Sequence, residues 1–196
     1  MQLAQQHLRQ FVTIWGDQFC CSRGSRGPQV RNKVAGGFDL ANMTLIEGDT
    51  GWIIVDPLTA TETVRAAMKV VDEHLGKRPV KAILSSHSHA DHFGGIRALA
   101  NEEDLASGKI RFVAPENFVQ ETASENVIAG NAMGRRASYM FGNLLPSTTK
   151  GNVDSGLGKG VAFGTISLLT PTDTISATGQ KLVLDGQIWM LVEGFC

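Results

Sequence analysis

Residues 80–95 have the sequence VKAILSSHSHADHFGG, and this stretch decides the fold. Its first part, Val80–Leu84, is a short and almost uninterrupted apolar run, which is typical of a β-strand covered on both faces. The residues that follow contain three of the chain's five histidines. Because ligands bind at the carboxyl ends of strands in open α/β sheets, this order predicts a buried strand that delivers a histidine cluster to a binding crevice.

A hairpin and a helix are predicted before this strand. Met43–Gly48 and Trp52–Val55 are two β-type runs on either side of a turn, which predicts a hairpin. From Thr59 onward apolar residues recur at helical spacing, so one helix face is apolar. Thr59 with Glu62 would form a capping box, and Gly76 would end the helix. Strand, helix and strand in this order imply a parallel pair with a right-handed crossover, and hence an α/β fold.

The later part of the chain is predicted to alternate between helices and strands. Two helices are predicted, followed by a long loop rich in Gly, Ser, Thr and Asn at residues 147–164. Asp185-Gly186 is a hairpin turn signal. The predicted helices are Glu116–Ala123 and Ala129–Leu144, and the predicted strands are Ile110–Ala114, Thr165–Leu169, Lys181–Leu184 and Gln187–Val192.

Composition excludes several classes of function. The chain of 196 residues is 42% hydrophobic and 19% charged, which is ordinary for a globular domain. A formal net charge of −1 gives no electrostatic case for a nucleic-acid partner. No apolar run approaches the roughly 20 residues that span a bilayer, so no transmembrane segment is expected. The first ten residues lack an apolar signal region, so a cytoplasmic location is the default expectation, with the periplasm or secretion left open.

The histidine segment has the side chains and the spacing of a metal site. His87 and His89, two apart in extended backbone, would project to the same side and could hold one ion. Asp91 and His92 follow as the chain turns, and would point into the same crevice from another direction. Imidazole and carboxylate ligands suit Zn²⁺ better than Mn²⁺ or Fe. Glycines directly after the histidines would let the backbone turn tightly around the site.

The H-x-H-x-D-H spacing of this segment resembles the metallo-β-lactamase superfamily. The resemblance implies a layered α/β fold, the αββα sandwich, of which this chain would supply the first half. It also implies one or two metal ions at the histidine segment. Asp56, at the end of the strand before the first helix, matches a position where the superfamily usually has an aspartate that orients a ligand. A purely structural role for Asp56, capping the turn before Pro57, is the alternative.

Longer segments resemble one branch of that superfamily, the alkyl sulfatases that degrade dodecyl sulfate. The segments are 37–48, 51–59, 86–95, 124–133, 135–145 and 178–186, of which RRASYMFGNLL at 135–145 is the most specific. The resemblance implies hydrolysis of alkyl sulfate esters at a two-zinc site. His87 and His89 would then hold one zinc, and Asp91 and His92 the other. It also implies a homodimer for the complete family.

The sulfate group of such a substrate would be bound by hydrogen-bond donors of the protein. Arginine suits an oxyanion through its fork of donors, and Tyr or Asn can donate a neutral hydrogen bond. Arg136, Tyr139 and Asn143, all in the specific segment, are the candidates. The alternative is a helix with a solvated arginine pair and a packed tyrosine.

Some features depart from the alkyl sulfatase pattern. No histidine follows His92, although the family has further ligands later in the chain. Residues 1–36 have little periodicity and are expected to be an irregular segment before a partial catalytic domain at residues 37–196. We therefore expect a truncated or frame-disrupted chain. Two other functions remain open: another hydrolase of the superfamily (thioesterase, lactonase or β-lactamase-like), or a non-catalytic metal-binding fragment.

Overall fold

A mixed seven-stranded sheet organises the molecule. The computed structural model describes residues 12–13, 32–142, 144–146, 148 and 160–190. The sheet has the order β1-β2-β3-β4-β5-β6-β7; β1 to β4 are antiparallel neighbours, and β4 to β7 are parallel. The strands are β1 (Val12–Thr13), β2 (Asn32–Ala35), β3 (Met43–Glu47), β4 (Trp52–Val55), β5 (Val80–Leu84), β6 (Arg111–Pro115) and β7 (Asp173–Ile175).

Four α-helices and a second, two-stranded sheet accompany the large sheet among the described residues. The small sheet is a hairpin of β8 (Lys181–Leu184) and β9 (Gln187–Met190). The helices are α1 (Thr61–Leu75), α2 (Glu102–Ala106), α3 (Phe118–Ala123) and α4 (Gly130–Phe141). Within the described part of the chain, no helix has the length and apolar character needed to cross a membrane. The predicted α/β class is confirmed.

Successive side chains of the central strands point to opposite faces of the sheet, and both faces are buried. On one face, Trp52 and Ile54 of β4 pack with Val64, Ala67 and Val71 of α1. On the other face, Ile53 packs with residues of neighbouring strands and with Leu184 of the β8–β9 hairpin. Each fully buried valine or isoleucine contributes roughly 1.5–3 kcal/mol relative to exposure. Strands β4 and β5 are therefore apolar on both sides, as the uninterrupted run of β5 predicted.

The predicted crossover is confirmed. Strands β4 and β5 are parallel, with Ile54 paired to Ile83, and α1 connects them. Gly76 follows the helix at φ 82°, a conformation that glycine adopts without a steric cost. This arrangement places the end of β5 beside the end of β4, and so brings the histidine segment next to Asp56.

The predicted capping box at the start of α1 is wrong. The N-cap is Ala60, which has no side chain to cap with, and Thr59 is buried with its hydroxyl unpaired. Glu62 instead accepts hydrogen bonds from the backbone nitrogen and hydroxyl of Thr165, both at 2.8 Å. A contact distant in the chain therefore satisfies Glu62 in place of the local one.

The strand predicted at Thr165–Leu169 is also wrong. Its backbone groups bond to the helix side of the fold: Thr165 O accepts from Thr61 N at 3.0 Å, and Ser167 N donates to Gly94 O at 2.8 Å. The segment has no regular secondary structure and pairs with no strand among the described residues. The strand in this region is β7, which pairs in parallel with β6 and which the periodicity did not indicate.

The division of the chain at residue 36 stays a prediction. Strands β1 and β2 precede it and continue the sheet, with Val34 of β2 paired to Thr44 of β3. Most of the loop predicted at residues 147–164 lies outside the described residues, as does the end of the strand predicted to reach Val192.

Candidate metal centre

The histidine loop, residues 85–95, begins directly after β5 at its carboxyl end. Ala90–His92 forms one 3₁₀ turn, so Asp91 and His92 point in a different direction from the two histidines before them. A side chain at Gly94 would overlap the carbonyl oxygen of Thr59, and one at Gly95 would overlap Val64. The two glycines therefore allow the loop to pack against the start of α1, as their position after the histidines predicted.

The four predicted ligand side chains lie together. His87 Nε2 is 3.1 Å from His89 Nδ1, and His92 Nε2 is 3.3 Å from Asp91 Oδ2. The rings of His87 and His92 have centroids 4.0 Å apart, which places the two pairs side by side. The arrangement is therefore two adjacent pairs of donors, His87 with His89 and Asp91 with His92.

Asp56 lies behind these pairs. The residue has φ 56°, an uncommon conformation outside glycine that aspartate tolerates better than most residues. Its Oδ2 is 3.0 Å from His92 Nδ1, and its Oδ1 accepts from the backbone nitrogen of Ser86 at 2.8 Å. Asp56 therefore contacts the nitrogen of His92 that faces away from Asp91, and it also fastens the start of the histidine loop.

A chain of hydrogen bonds defines which nitrogen of His87 carries a proton. The Ser86 hydroxyl donates to Asp56 Oδ2 at 2.9 Å, because a carboxylate can only accept. The Ser86 Oγ also lies 2.9 Å from His87 Nδ1, and because its hydrogen is donated to Asp56, this oxygen accepts from Nδ1. His87 Nε2 is then left with a lone pair, and it is this atom that faces His89.

The donor set fits zinc in type and spacing, two ligands at a time. Two atoms bound tetrahedrally at about 2.0–2.1 Å from one zinc ion are about 3.3 Å apart, close to the separations of 3.1 and 3.3 Å within the two pairs. Among the described residues, no group of three or more His, Cys, Asp or Glu is arranged to hold one ion. The described part of the chain therefore contains two pairs of donors at a spacing that suits zinc, and the ligand roles stay predictions.

Burial and charge set the proton affinities of the loop. Burial alone would lower the pKa of His92, but hydrogen bonds and charges from Asp56 and Asp91 outweigh it and raise the pKa to about 9. Burial and the neighbouring His92 and His89 lower the pKa of His87. Burial raises the pKa of Asp91, but its hydrogen bond to His92 outweighs this and lowers it overall. In the metal-free chain His92 is therefore the histidine of the loop that holds a second ring proton and a positive charge, between the carboxylates of Asp56 and Asp91.

Two residues of the site were not predicted as site residues. Glu125 Oε2 accepts from the Ser88 hydroxyl at 2.9 Å and lies 3.3 Å from His89 Nε2. Asn126 donates to the backbone oxygen of Ser88 at 2.9 Å. Both belong to segment 124–133, which resembles the alkyl sulfatases. That resemblance did not assign a role to either residue.

The three predicted sulfate contacts lie elsewhere or outside the described residues. Arg136 and Tyr139 are on α4, which has no buried residue, and Tyr139 is 92% exposed. The Arg136 guanidinium contacts Met133 Sδ, one turn away on the same helix. Across the described ranges, no hydrogen bond or ion pair joins either side chain to the histidine loop. Asn143 is outside the described residues.

Comparison with known proteins places this site in a family. Residues 36–185 match the metallo-beta-lactamase superfamily. The matched part exceeds half of the chain and contains both β5 and the histidine loop. The chain belongs to the metallo-beta-lactamase superfamily.

Within that superfamily the chain is similar to alkylsulfatases. It is 48% identical over 158 residues to a linear primary-alkylsulfatase of a Pseudomonas species, covering 81% of this chain. It is 42% identical over 150 residues to an alkyl/aryl-sulfatase of Saccharomyces cerevisiae, covering 76% of this chain. The chain spans about a quarter of the length of these relatives, 23% in each.

A solved structure agrees with the sequence comparison. The stereoselective inverting sec-alkylsulfatase Pisa1 from a Pseudomonas species matches with a TM-score of 0.74 and 39% sequence identity. The match covers 84% of this chain and 26% of that one. The resemblance to alkyl sulfatases and the partial metallo-β-lactamase fold, both predicted from the sequence, are confirmed.

Proposed function

We propose that this chain carries the histidine-loop part of a zinc-dependent catalytic centre that hydrolyses alkyl sulfate esters. The observation that carries the proposal is the pair of donor sets, His87 with His89 and Asp91 with His92, each spaced for one zinc ion. The alkylsulfatase relatives supply the substrate class.

The chain's own residues would hold and orient the ligands. Ser86 and Asp56 fix the proton of His87 on Nδ1, so that Nε2 is available as a ligand. Asp56 accepts from His92 Nδ1, which likewise leaves His92 Nε2 facing Asp91. Zinc ions held there would lower the pKa of a water molecule and neutralise charge on the sulfate. A catalytic zinc has three protein ligands, so each ion would need a further ligand beyond its pair in the histidine loop.

The sulfate contacts and the oligomer belong to this proposal. Arg136 would bind the sulfate through its donor fork, with Tyr139 and Asn143 as neutral donors. The exposure of Arg136 and Tyr139 on α4 leaves these two side chains free to meet a substrate, or a second chain, that approaches this helix. A homodimer, as the family resemblance implies, would be one way to bring such a surface to the site.

The test is a substrate panel on zinc-reconstituted protein. Dodecyl sulfate, a thioester and a lactone are compared at equal concentrations, and zinc content is measured by elemental analysis. We expect release of sulfate from dodecyl sulfate, abolished by the double substitution His87→Ala and His89→Ala. The matched control is His74→Ala, which removes an exposed histidine of α1 whose ring bonds to the backbone oxygen of Val70 in the same helix.

Other outcomes of the panel identify the alternatives. Turnover of the thioester or lactone, with dodecyl sulfate inert, would make the chain a different hydrolase of the superfamily. Stoichiometric zinc without turnover of any ester would make it a non-catalytic metal-binding chain. Absence of zinc binding in the unsubstituted protein would overturn the proposed centre itself.

A further inference from the structure

A π-helical turn stands between α3 and α4, and it carries Glu125 to the histidine loop. The turn spans Ser124–Ile128, and its end is marked by a hydrogen bond from Ala129 N to Ser124 O at 2.9 Å. Such turns place one more residue per turn than an α-helix and occur frequently at functional sites. The side chains of Glu125 and Asn126 are partly buried against the loop, whereas Val127 is 77% exposed. The turn thus presents two consecutive polar residues to the same neighbour.

Those two residues hold Ser88, the residue between the first two histidines. Glu125 accepts from the Ser88 hydroxyl at 2.9 Å, and Asn126 donates to the Ser88 backbone oxygen at 2.9 Å. Ser88 itself is buried. The loop between His87 and His89 is therefore fixed from the side of the π-helical turn, just as Asp56 fixes its beginning.

Glu125 also faces one ring nitrogen of His89. Its Oε2 lies 3.3 Å from His89 Nε2, and because a carboxylate only accepts hydrogen bonds, it favours the tautomer with the proton on Nε2. His89 Nδ1 then keeps its lone pair, and this is the atom 3.1 Å from His87 Nε2. The relation matches that of Asp56 to His92, with the two ring nitrogens exchanged.

We infer that Glu125 is a positioning residue of the zinc centre, which holds His89 in the tautomer that binds the ion through Nδ1. The inference rests on the proposed zinc site and goes beyond it, because it assigns a role to a residue outside the ligand motif. Carboxylates that orient a ligating histidine typically contribute 10–100-fold to metal affinity. The competing possibility is that Glu125 is itself a ligand, with the ion bound to His89 Nε2.

The first experiment measures the binding atom directly on the unsubstituted chain. Long-range ¹H–¹⁵N correlation spectra of histidine-labelled protein, with and without Zn²⁺, distinguish the two ring nitrogens of His89. Zinc coordination at Nδ1 with a protonated Nε2 supports the inference. Coordination at Nε2 overturns it, because Glu125 would then face the ion rather than a proton.

The second experiment measures zinc affinity by competition with a chromophoric chelator. Glu125→Gln is compared with Glu121→Gln, which neutralises an exposed glutamate on α3, one turn earlier. We expect a 10–100-fold weaker affinity at one zinc site for Glu125→Gln and no change for Glu121→Gln. Unfolding of each variant in the presence of a strong chelator provides the check on folding.

The outcomes separate this inference from the proposed function. Equal zinc affinity in the unsubstituted chain and in Glu125→Gln overturns the positioning role and leaves the zinc site standing. An unsubstituted chain that binds no zinc overturns both. If Glu125→Gln does not fold, the histidine spectra of the unsubstituted chain decide the question alone.

Discussion

Asp56 Oδ2 lies 3.0 Å from His92 Nδ1, and this contact joins the end of one parallel strand to the loop that follows the next. Both residues are in place only because β4 and β5 are adjacent and parallel. The carboxylate also accepts from the backbone and hydroxyl of Ser86, so a single side chain holds the loop at its beginning and at its last histidine.

The first prediction concerns the pH dependence of the stability of the metal-free chain. The pKa of His92 is raised from 6.5 to about 9 in the folded state, so the folded state binds this proton more tightly than the unfolded state does. The resulting stabilisation is complete below about pH 6.5 and is lost as the pH rises through about 9. This stabilisation amounts to no more than about 3.4 kcal/mol. Urea unfolding between pH 6 and pH 10 in a chelating buffer measures it.

The matched variant for this prediction is Asp56→Asn, which removes one of the two carboxylate charges that hold the proton. We expect the loss of stability between pH 6.5 and 9 to become much shallower in Asp56→Asn, whereas His74→Gln, on the exposed face of α1, leaves it unchanged. An unaltered pH profile in Asp56→Asn would contradict the assignment of the proton to the Asp56–His92 contact.

The second prediction compares two glycines. A Cβ at Gly94 would overlap backbone oxygens of Thr59 and Ala90, whereas nothing lies within 4 Å of a Cβ at Gly134. Gly94→Ala should therefore destabilise the protein by at least about 2 kcal/mol, because backbone atoms cannot move aside cheaply. Gly134→Ala, inside helix α4, should stabilise it by about 0.5–1 kcal/mol. In thermal unfolding we therefore expect a lower melting temperature for Gly94→Ala and a higher one for Gly134→Ala. Equal shifts of the melting temperature in the two variants would contradict the packing described for the histidine loop.

The third prediction concerns the contact between Glu62 and the segment around Thr165. Hydrogen bonds from Thr165 lower the pKa of Glu62, so this contact is present above the ordinary pKa of a glutamate and is lost as the pH falls through the lowered value. In Glu62→Ala we expect faster amide hydrogen exchange at Thr165 with little change elsewhere, because the contact is local and exposed to water. Glu73→Ala, an exposed glutamate on the same helix, is the control. Uniformly faster exchange throughout the sheet would argue against a local role.

The fourth prediction concerns the β8–β9 hairpin, which Asp185 ties to the turn between β3 and β4. Its carboxylate accepts from Thr50 Oγ1 at 2.6 Å, Thr50 N at 2.9 Å and Gly51 N at 2.8 Å. Asp185→Ala removes the carboxylate that accepts all three hydrogen bonds and should cost about 2 kcal/mol of unfolding free energy, since hydrogen bonds to charged groups are the stronger ones. Lys181→Ala, on the exposed side of β8, should cost under about 0.5 kcal/mol. A negligible effect of Asp185→Ala would mean that the hairpin is held by its apolar side chains and by the hydrogen bonds to its backbone from Arg111 and Asp49.

Much of the central sheet could be predicted from the sequence. The apolar run at Val80–Leu84 and the helical spacing of Val64, Ala67 and Val71 are local patterns that packing follows. The position of the histidines after a strand likewise placed them at the sheet's carboxyl edge. These predictions succeeded because local preference and tertiary environment agree in this region.

The rest depended on partners distant in the chain. The sequence predicted a local capping role for Glu62, and this was wrong. Its partner, Thr165, is about a hundred residues away in the chain and is brought near only by folding. Strand β7 is defined by its pairing with β6 and has only three residues, too few for a periodic signal. Glu125 lies in a π-helical turn that changes the register of the helix and faces His89. No pattern of residues in the sequence predicted that turn.

The supports of the histidine loop have a consequence for engineering. Its four donor side chains come from six consecutive residues, yet the carboxylates that face His92 and His89 come from the end of β4 and from a turn well beyond the loop. A peptide or a foreign scaffold given only the six-residue motif would have the proposed ligands without the carboxylates that contact them. The motif is therefore not portable by itself, and a transplant would have to carry the neighbouring strand and the π-helical turn with it.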